Sequence, residues 1–153
     1  MIRVLKAQVI GNLIPVSVVK NYLKIDQDVL EDDELISSLI LSAYRLFDIY
    51  TGIAPTLTLY ECEGYSTTNK EEVPRIPVVE IINPSSSELT LLDDGKLQVP
   101  VNEKYWFTLK AGYDDTPEEM KEVLLRVVAE LYTKRPEASE ISALFRPFRR
   151  RLL

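Results

Sequence analysis

Between Tyr105 and Arg135 the hydrophobic period of the chain changes from two to 3.6, and a glycine marks the change. Tyr105, Phe107, Leu109 and Ala111 alternate with Trp106, Thr108 and Lys110, as side chains of a half-buried strand do. Gly112-Tyr113 turns the chain. Apolar residues then recur at helical spacing at Met120, Val123, Leu124, Val127, Val128 and Leu131. Thr116-Pro117-Glu118-Glu119 has the form of a capping box, which predicts a helix starting at Thr116 and gaining about 1 kcal/mol from two satisfied backbone donors. Pro136 ends it, with Lys134 and Arg135 at the negative end of the helix dipole. A strand turned into an amphipathic helix predicts an α+β fold.

The first half of the chain is helical. Ser17 is the expected N-cap of a short helix through Leu23, with Val18, Val19, Tyr22 and Leu23 facing inward. Six acids crowd the nine positions from Asp26 to Glu34, suiting the positive end of a helix dipole. The helix that follows, from Asp32 to Thr51, carries Leu35, Leu39, Ala43, Leu46 and Tyr50 on one face, joined by Ile36, Ile40 and Phe47. Gly52 is placed to end it in a left-handed conformation. From Pro55 to Tyr113 the chain reads as antiparallel strands: Thr56–Cys62, Val78–Ile82, a hairpin of Leu89–Leu92 and Lys96–Val99 about Asp93-Asp94-Gly95, and Tyr105–Ala111. Prolines 55, 74, 77, 84 and 100 mark strand ends or edges. Gly64–Lys70 and Asn83–Ser87 read as polar loops. The expected organisation is one domain over 1–153: helices in 15–52, a β-rich insertion over 55–113, a helix over 116–135, and a basic tail over 136–153. In the tail, Ile141, Leu144, Phe145 and Phe148 are spaced to form a short amphipathic helix.

At 153 residues the chain is long enough for one substantial core. It has no histidine, so the side chain best suited to proton transfer near neutrality is missing, along with the commonest metal ligand. One cysteine, Cys62, forms no internal disulfide and reads as a strand residue. Asp26-x-Asp28 does not develop into a calcium loop, because Leu30 and Glu31 stand where that loop needs an oxygen ligand and a glycine. Asp93-Asp94 and Asp114-Asp115 sit in turns, and five glycines form no phosphate-binding loop. Neither an enzyme nor a cofactor is expected. The interrupted apolar start Met1–Gln8 is unlike a signal peptide, and no stretch reaches the ~20 apolar residues of a membrane span, which predicts cytoplasmic synthesis and no membrane partner.

Charge is unevenly placed. From Lys134 onward six basic residues face two acids, a balance of +4, so the remainder carries −10 of the net −6. An acidic body repels phosphates, whereas Phe145-Arg146-Pro147-Phe148-Arg149-Arg150-Arg151 combines guanidinium forks with two aromatic anchors. That cluster is a candidate contact for an acidic partner, and its bland alternative is a frayed, solvated terminus. Base stacking on Tyr105 and Phe107 is disfavoured, because no basic residues interleave on that face and the rings read as core.

Three segments, taken in order, resemble the head–tail connector family of long-tailed bacteriophages, also called adaptor, head-completion or DNA-packaging proteins. They are Pro15–Asp26, with its lysines and Leu-Lys-Ile-Asp exit; Asp32–Gly52, ending Tyr-Thr-Gly; and Ala111-Gly112-Tyr113 with Pro117 and Ala129–Arg135. Val73–Val78 is similar to the proline-flanked strand approach of these proteins. The resemblance implies a helical core with an inserted β region, built into a ring, usually dodecameric, beneath the portal. Such a ring extends the DNA channel and offers its lower face to a stopper or tail-completion protein, at the head–tail junction of a virion assembled in the bacterial host cytoplasm. Duplex DNA would pass through without specific binding. It also implies that the C-terminal segment, here Ile141 to Leu153, reaches toward the portal; on side-chain chemistry the candidate portal or partner contacts within it are Phe145, Arg146, Phe148, Arg149, Arg150 and Arg151. Since the Asp32–Thr51 helix is apolar over much of its circumference, part of Ile36, Ile40, Tyr44 and Phe47 is expected to meet a neighbouring subunit. Two further readings stay open: a nucleic-acid-binding accessory module acting through the arginine tail, and a tail-side stopper with similar ring geometry.

Overall fold

A computed structural model describes residues 1–134 and 136–150. Arg135, Arg151, Leu152 and Leu153 lie outside the described residues, so the expected roles of Arg135 at a helix end and Arg151 in the tail fall outside them too. The chain forms two compact units, one of residues 1–11 and 56–114, the other of 12–55 and 115–153.

The first unit is antiparallel β structure. Strands β1 (Ile2–Val9), β2 (Thr58–Tyr65), β7 (Lys104–Ala111) and β4 (Val78–Ile82) form a sheet in the order β1-β2-β7-β4. A smaller sheet has the order β3 (Lys70–Glu71), β6 (Leu97–Gln98), β5 (Thr90–Leu91), with the Asp93-Asp94-Gly95 hairpin between β5 and β6 as expected. The alternation read in β7 holds: Tyr105, Phe107, Leu109 and Ala111 are all buried, and Trp106 is exposed. Opposite them stand Gly64, Cys62, Tyr60 and Thr58 of β2, all buried, so the paired side chains on that face complement one another in size. A Cβ on Gly64 would lie 2.5 Å from the Tyr105 ring, which occupies the space the glycine leaves.

Two features of this unit depart from expectation. Residues 2–9 form an edge strand that the sequence alone does not announce. Its register against β2 shifts between Val4 and Lys6, and the bulge breaks the alternation of Ile2 and Val4 before it can repeat. The β-rich region is thus built from two stretches of chain, not from 55–113 alone. Strand β2 also begins at Thr58 and runs on through Gly64 and Tyr65, which the sequence assigns to a loop.

Gly112 is indispensable at the end of β7. Its φ is +124°, its amide donates to the Pro77 carbonyl at 2.9 Å, and an added Cβ would fall 2.1 Å from the Thr56 carbonyl oxygen. No side chain fits there, because the obstacle is backbone.

The second unit is helical: α1 (Val16–Leu23), α2 (Asp33–Thr51), α3 (Glu118–Thr133) and α4 (Ala138–Phe145), the last running into a single 3-10 turn, Arg146–Phe148. Helix α2 packs on α3, α1 touches both, and α4 also rests on both. The Tyr132 hydroxyl donates to Asp32 at 2.5 Å, joining the last turn of α3 to the start of α2, so the two helices run antiparallel. Gly52 closes α2 at φ 74°, as its position predicts.

Helix starts differ from the sequence reading. Ser17 lies inside α1, which begins after Pro15 and has no side-chain cap. The capping box at Thr116 does not form: Pro117 occupies the N-cap, and the Thr116 hydroxyl donates to the Pro55 carbonyl at 2.5 Å. That bond joins the two points where the chain leaves and re-enters this unit.

The inward face of α1 is also different. Val19 is buried, Val18 and Tyr22 are about half exposed, and the residue buried beside Val19 is Lys20. Its ammonium donates to the carbonyls of Gln27 at 3.0 Å and Val29 at 2.6 Å, and pairs with Asp33 at 3.0 Å. A buried cation requires such a shell of oxygens. The segment between α1 and α2 is therefore folded around the Lys20 side chain.

Gly112→Ala should destabilise the protein by more than about 2 kcal/mol, read as a lower Tm, since the Thr56 backbone must move. Lys20→Met should cost about 3 kcal/mol in denaturant unfolding by leaving Gln27, Val29 and Asp33 without their partner. It should also speed amide hydrogen exchange across 26–33 more than across α3.

Candidate assembly surfaces

Apolar residues cover most of the circumference of α2, and the structure divides them into two stripes. Ile36, Ile40, Ala43, Tyr44 and Phe47 are buried, none more than 3% exposed. The Tyr44 hydroxyl accepts the Ile14 amide at 3.0 Å; burial raises its pKa, and this bond opposes the rise to a smaller extent. The expectation that Ile36, Ile40, Tyr44 and Phe47 meet a neighbouring subunit is therefore corrected: these four positions are interior to the chain. The outward stripe is Leu35, Leu39, Leu46 and Ile49, spaced four, seven and three residues apart along one side. Leu35 and Ile49 are exposed at 51% and 68%, and Leu39 and Leu46 are half-buried. Sequence periodicity gave one wide apolar face, Leu35, Leu39, Ala43, Leu46 and Tyr50 joined by Ile36, Ile40 and Phe47, without showing which part of it faces in, and it did not single out Ile49.

The tail divides in the same way. Phe145 is 1% exposed and meets the Phe47 ring edge-on at a centroid distance of 5.2 Å; Tyr50 lies 6.0 Å from it. Phe148, half-buried, packs on Phe47 at 5.4 Å. Both phenylalanines anchor the tail to their own unit; Phe145, fully buried, is not free to insert into a partner, which corrects the expectation for that residue, whereas Phe148 keeps an exposed part. A tail held by two rings is not a frayed terminus through residue 150. Arg150 is held as well, its amide donating to the Thr51 carbonyl at 3.0 Å. Arg146 and Arg149 are exposed. They stand at a cavity of about 370 Å³ whose other walls are Ile49, Tyr50, Ser142 and Phe145. A lining that joins Ile49, Tyr50 and Phe145 to two arginines suits an apolar side chain carried on an acidic segment.

At the opposite end of α2 lies the acidic segment 26–34. Asp33 is paired with Lys20 and Asp32 with Tyr132, while Asp26, Asp28, Glu31 and Glu34 are exposed. Among these acids Val29 and Leu30 stand 46% and 67% exposed. The sequence shows this segment as a helix start and gives no sign that Lys20 shapes it. An isolated lysine in a helix is ordinarily solvated, so its burial was not readable locally.

Reactive chemistry is weak in what the structure describes. Burial pushes the Cys62 thiol up to about 12, against a smaller opposing effect of Arg75, so it stays protonated at neutral pH and is a poor nucleophile. Among the described residues no group of three acidic, cysteine or histidine side chains is placed to hold a metal ion, and no helix is long and apolar enough to cross a membrane.

Neither a protein-family model nor a curated protein matches the chain by sequence. Chains of known structure do share its fold. One, from the neck of an empty gene transfer agent (GTA) particle computed with C6 symmetry, aligns over 100% of this chain and 97% of its own, with a TM-score of 0.77 and 15% identity. Another, from the virion of a native gene transfer agent particle, aligns over the same shares with a TM-score of 0.72 and 15% identity. The α+β architecture of this chain is thus that of chains found in those particles.

Proposed function

We propose that this protein is a non-enzymatic structural subunit of the head–tail neck of a phage or phage-like particle. In this reading copies of the chain form a ring beneath the portal, extend the DNA channel and present a lower face to a stopper or tail-completion protein. Its place is the virion, after assembly in the host cytoplasm. The observation that carries the proposal is whole-length fold likeness to a chain from a gene transfer agent neck, with almost nothing of either chain left over. The ordered resemblance of Pro15–Asp26, Asp32–Gly52 and Ala111–Arg135 to connector proteins points the same way. C6 symmetry in that neck favours a ring whose copy number is a multiple of six, and a dodecamer satisfies it.

The acidic body suits a channel through which duplex DNA slides without sticking. Arg146 and Arg149 are two exposed cations beside an apolar cavity, not a basic stripe following a phosphate backbone. A role as a nucleic-acid-binding module is accordingly the weaker reading.

Electron microscopy of the purified protein, alone and with its portal, should show rings that dock coaxially on the portal. Duplex binding at physiological salt should be weak. Tight binding that falls steeply with added salt, by a protein forming no rings, would replace the neck reading with the nucleic-acid one.

A further inference from the structure

The two ends of α2 carry surfaces of opposite character. At its start the segment 26–32 offers Leu30 at 67% exposure and Val29 at 46%, flanked by the exposed acids Asp26, Asp28 and Glu31. Lys20 ties the backbone of this segment to α1 by its bonds to the Gln27 and Val29 carbonyls, which restricts the loop next to Leu30. Preorganisation of that kind lowers the entropy lost on docking. At the end of the helix lies the cavity of about 370 Å³ lined by Ile49, Tyr50, Ser142, Phe145, Arg146 and Arg149.

One surface is an apolar side chain flanked by carboxylates, and the other is a cavity of mixed lining in which two arginines stand beside Ile49, Tyr50 and Phe145. They cannot meet within one chain, because Asp33 and Ile49 are roughly 24 Å apart along a helix rising 1.5 Å per residue. They can meet between chains.

We propose that the cavity receives the 26–32 segment of a second copy, with Leu30 seated among Ile49, Tyr50 and Phe145 while Asp28 and Glu31 pair with Arg146 and Arg149. This rests on the reading of the protein as a ring subunit and supplies the contact that closes the ring. Each copy gives one surface and receives the other, which is a heterologous contact, and successive heterologous contacts close into a ring when the rotation between copies is right. Charge complementarity also sets its direction: cavity against cavity, or loop against loop, would oppose like charges. The exposed ends of the outward α2 stripe, Leu35 and Ile49, lie beside the loop and the cavity respectively, so the same contact reduces their exposure.

Two measurements on the full chain test this. Leu30→Cys and Ser142→Cys combined in one chain, treated with a short bismaleimide, should give a ladder of dimers, trimers and larger species, and neither single variant should. Cys62, 2% exposed, leaves a silent background. Separately, Arg146→Glu with Arg149→Glu, or Asp28→Arg with Glu31→Arg, should raise the concentration for half-assembly roughly tenfold or more, and all four changes in one chain should restore it to within about threefold. Such a rescue is not available to a variant that has merely lost its fold. Crosslinking that stops at dimers would overturn the head-to-tail contact. Rings that neither crosslink nor respond to charge reversal would overturn it too, while leaving the neck function standing. A protein that forms no rings would end both.

Discussion

An ammonium group withdrawn from water must find oxygens, and in this protein that requirement organises the helical unit from Val16 to the start of α2. Lys20 is as buried as the valine beside it, and two carbonyls and a carboxylate converge on it. They come from Gln27, Val29 and Asp33, so the loop cannot relax without exposing or orphaning the charge. Asp33 is the first residue of α2, which ties the start of the long helix to the middle of the short one. Asp32, one residue earlier, is held by Tyr132 from α3. Three helices are thereby located with respect to one another by polar contacts at one end, and α2 and α3 continue from there as an apolar seam.

The apolar faces of α2 then acquire different meanings. Ile36, Ile40, Tyr44 and Phe47 form the interior, extended by Phe145 and Phe148 from the end of the chain. Leu35 and Ile49 remain outside. Isolated exposed aliphatic residues are ordinary on any surface, but here one stands beside an acidic loop and the other lines a cavity with two arginines in its lining. Arg146 and Arg149 have a comparable place: the neighbouring Phe145 and Phe148 pack on Phe47, so this part of the tail is held against the helix.

Much of the architecture was legible in the residues. The alternation of β7, the Asp-Gly hairpin, the extent of α2 with its terminal glycine, the helical stripe of α3 and a short helix carrying Ile141, Leu144 and Phe145 follow from local period and turn chemistry, and all are present, although Phe148 falls in the 3-10 turn after that helix. The charge asymmetry between body and tail was equally plain. Strand β1 was not, because its bulge removes the alternation by which a strand is recognised.

Which groups are buried was decided elsewhere. A helix apolar on most sides holds no local information about the side its neighbours will cover, so the interior face of α2 was settled only when α3 and α4 packed on it. Thr116 has the residues of a capping box around it, yet its hydroxyl goes to Pro55, sixty-one positions away in sequence. Lys20 looks like any solvated lysine until the following loop closes over it. The residues alone determined the elements and their amphipathic character, because period, glycine and proline act within a few residues. The tertiary structure alone chose among equivalent faces and hydrogen-bond partners, because desolvation depends on what arrives from far along the chain.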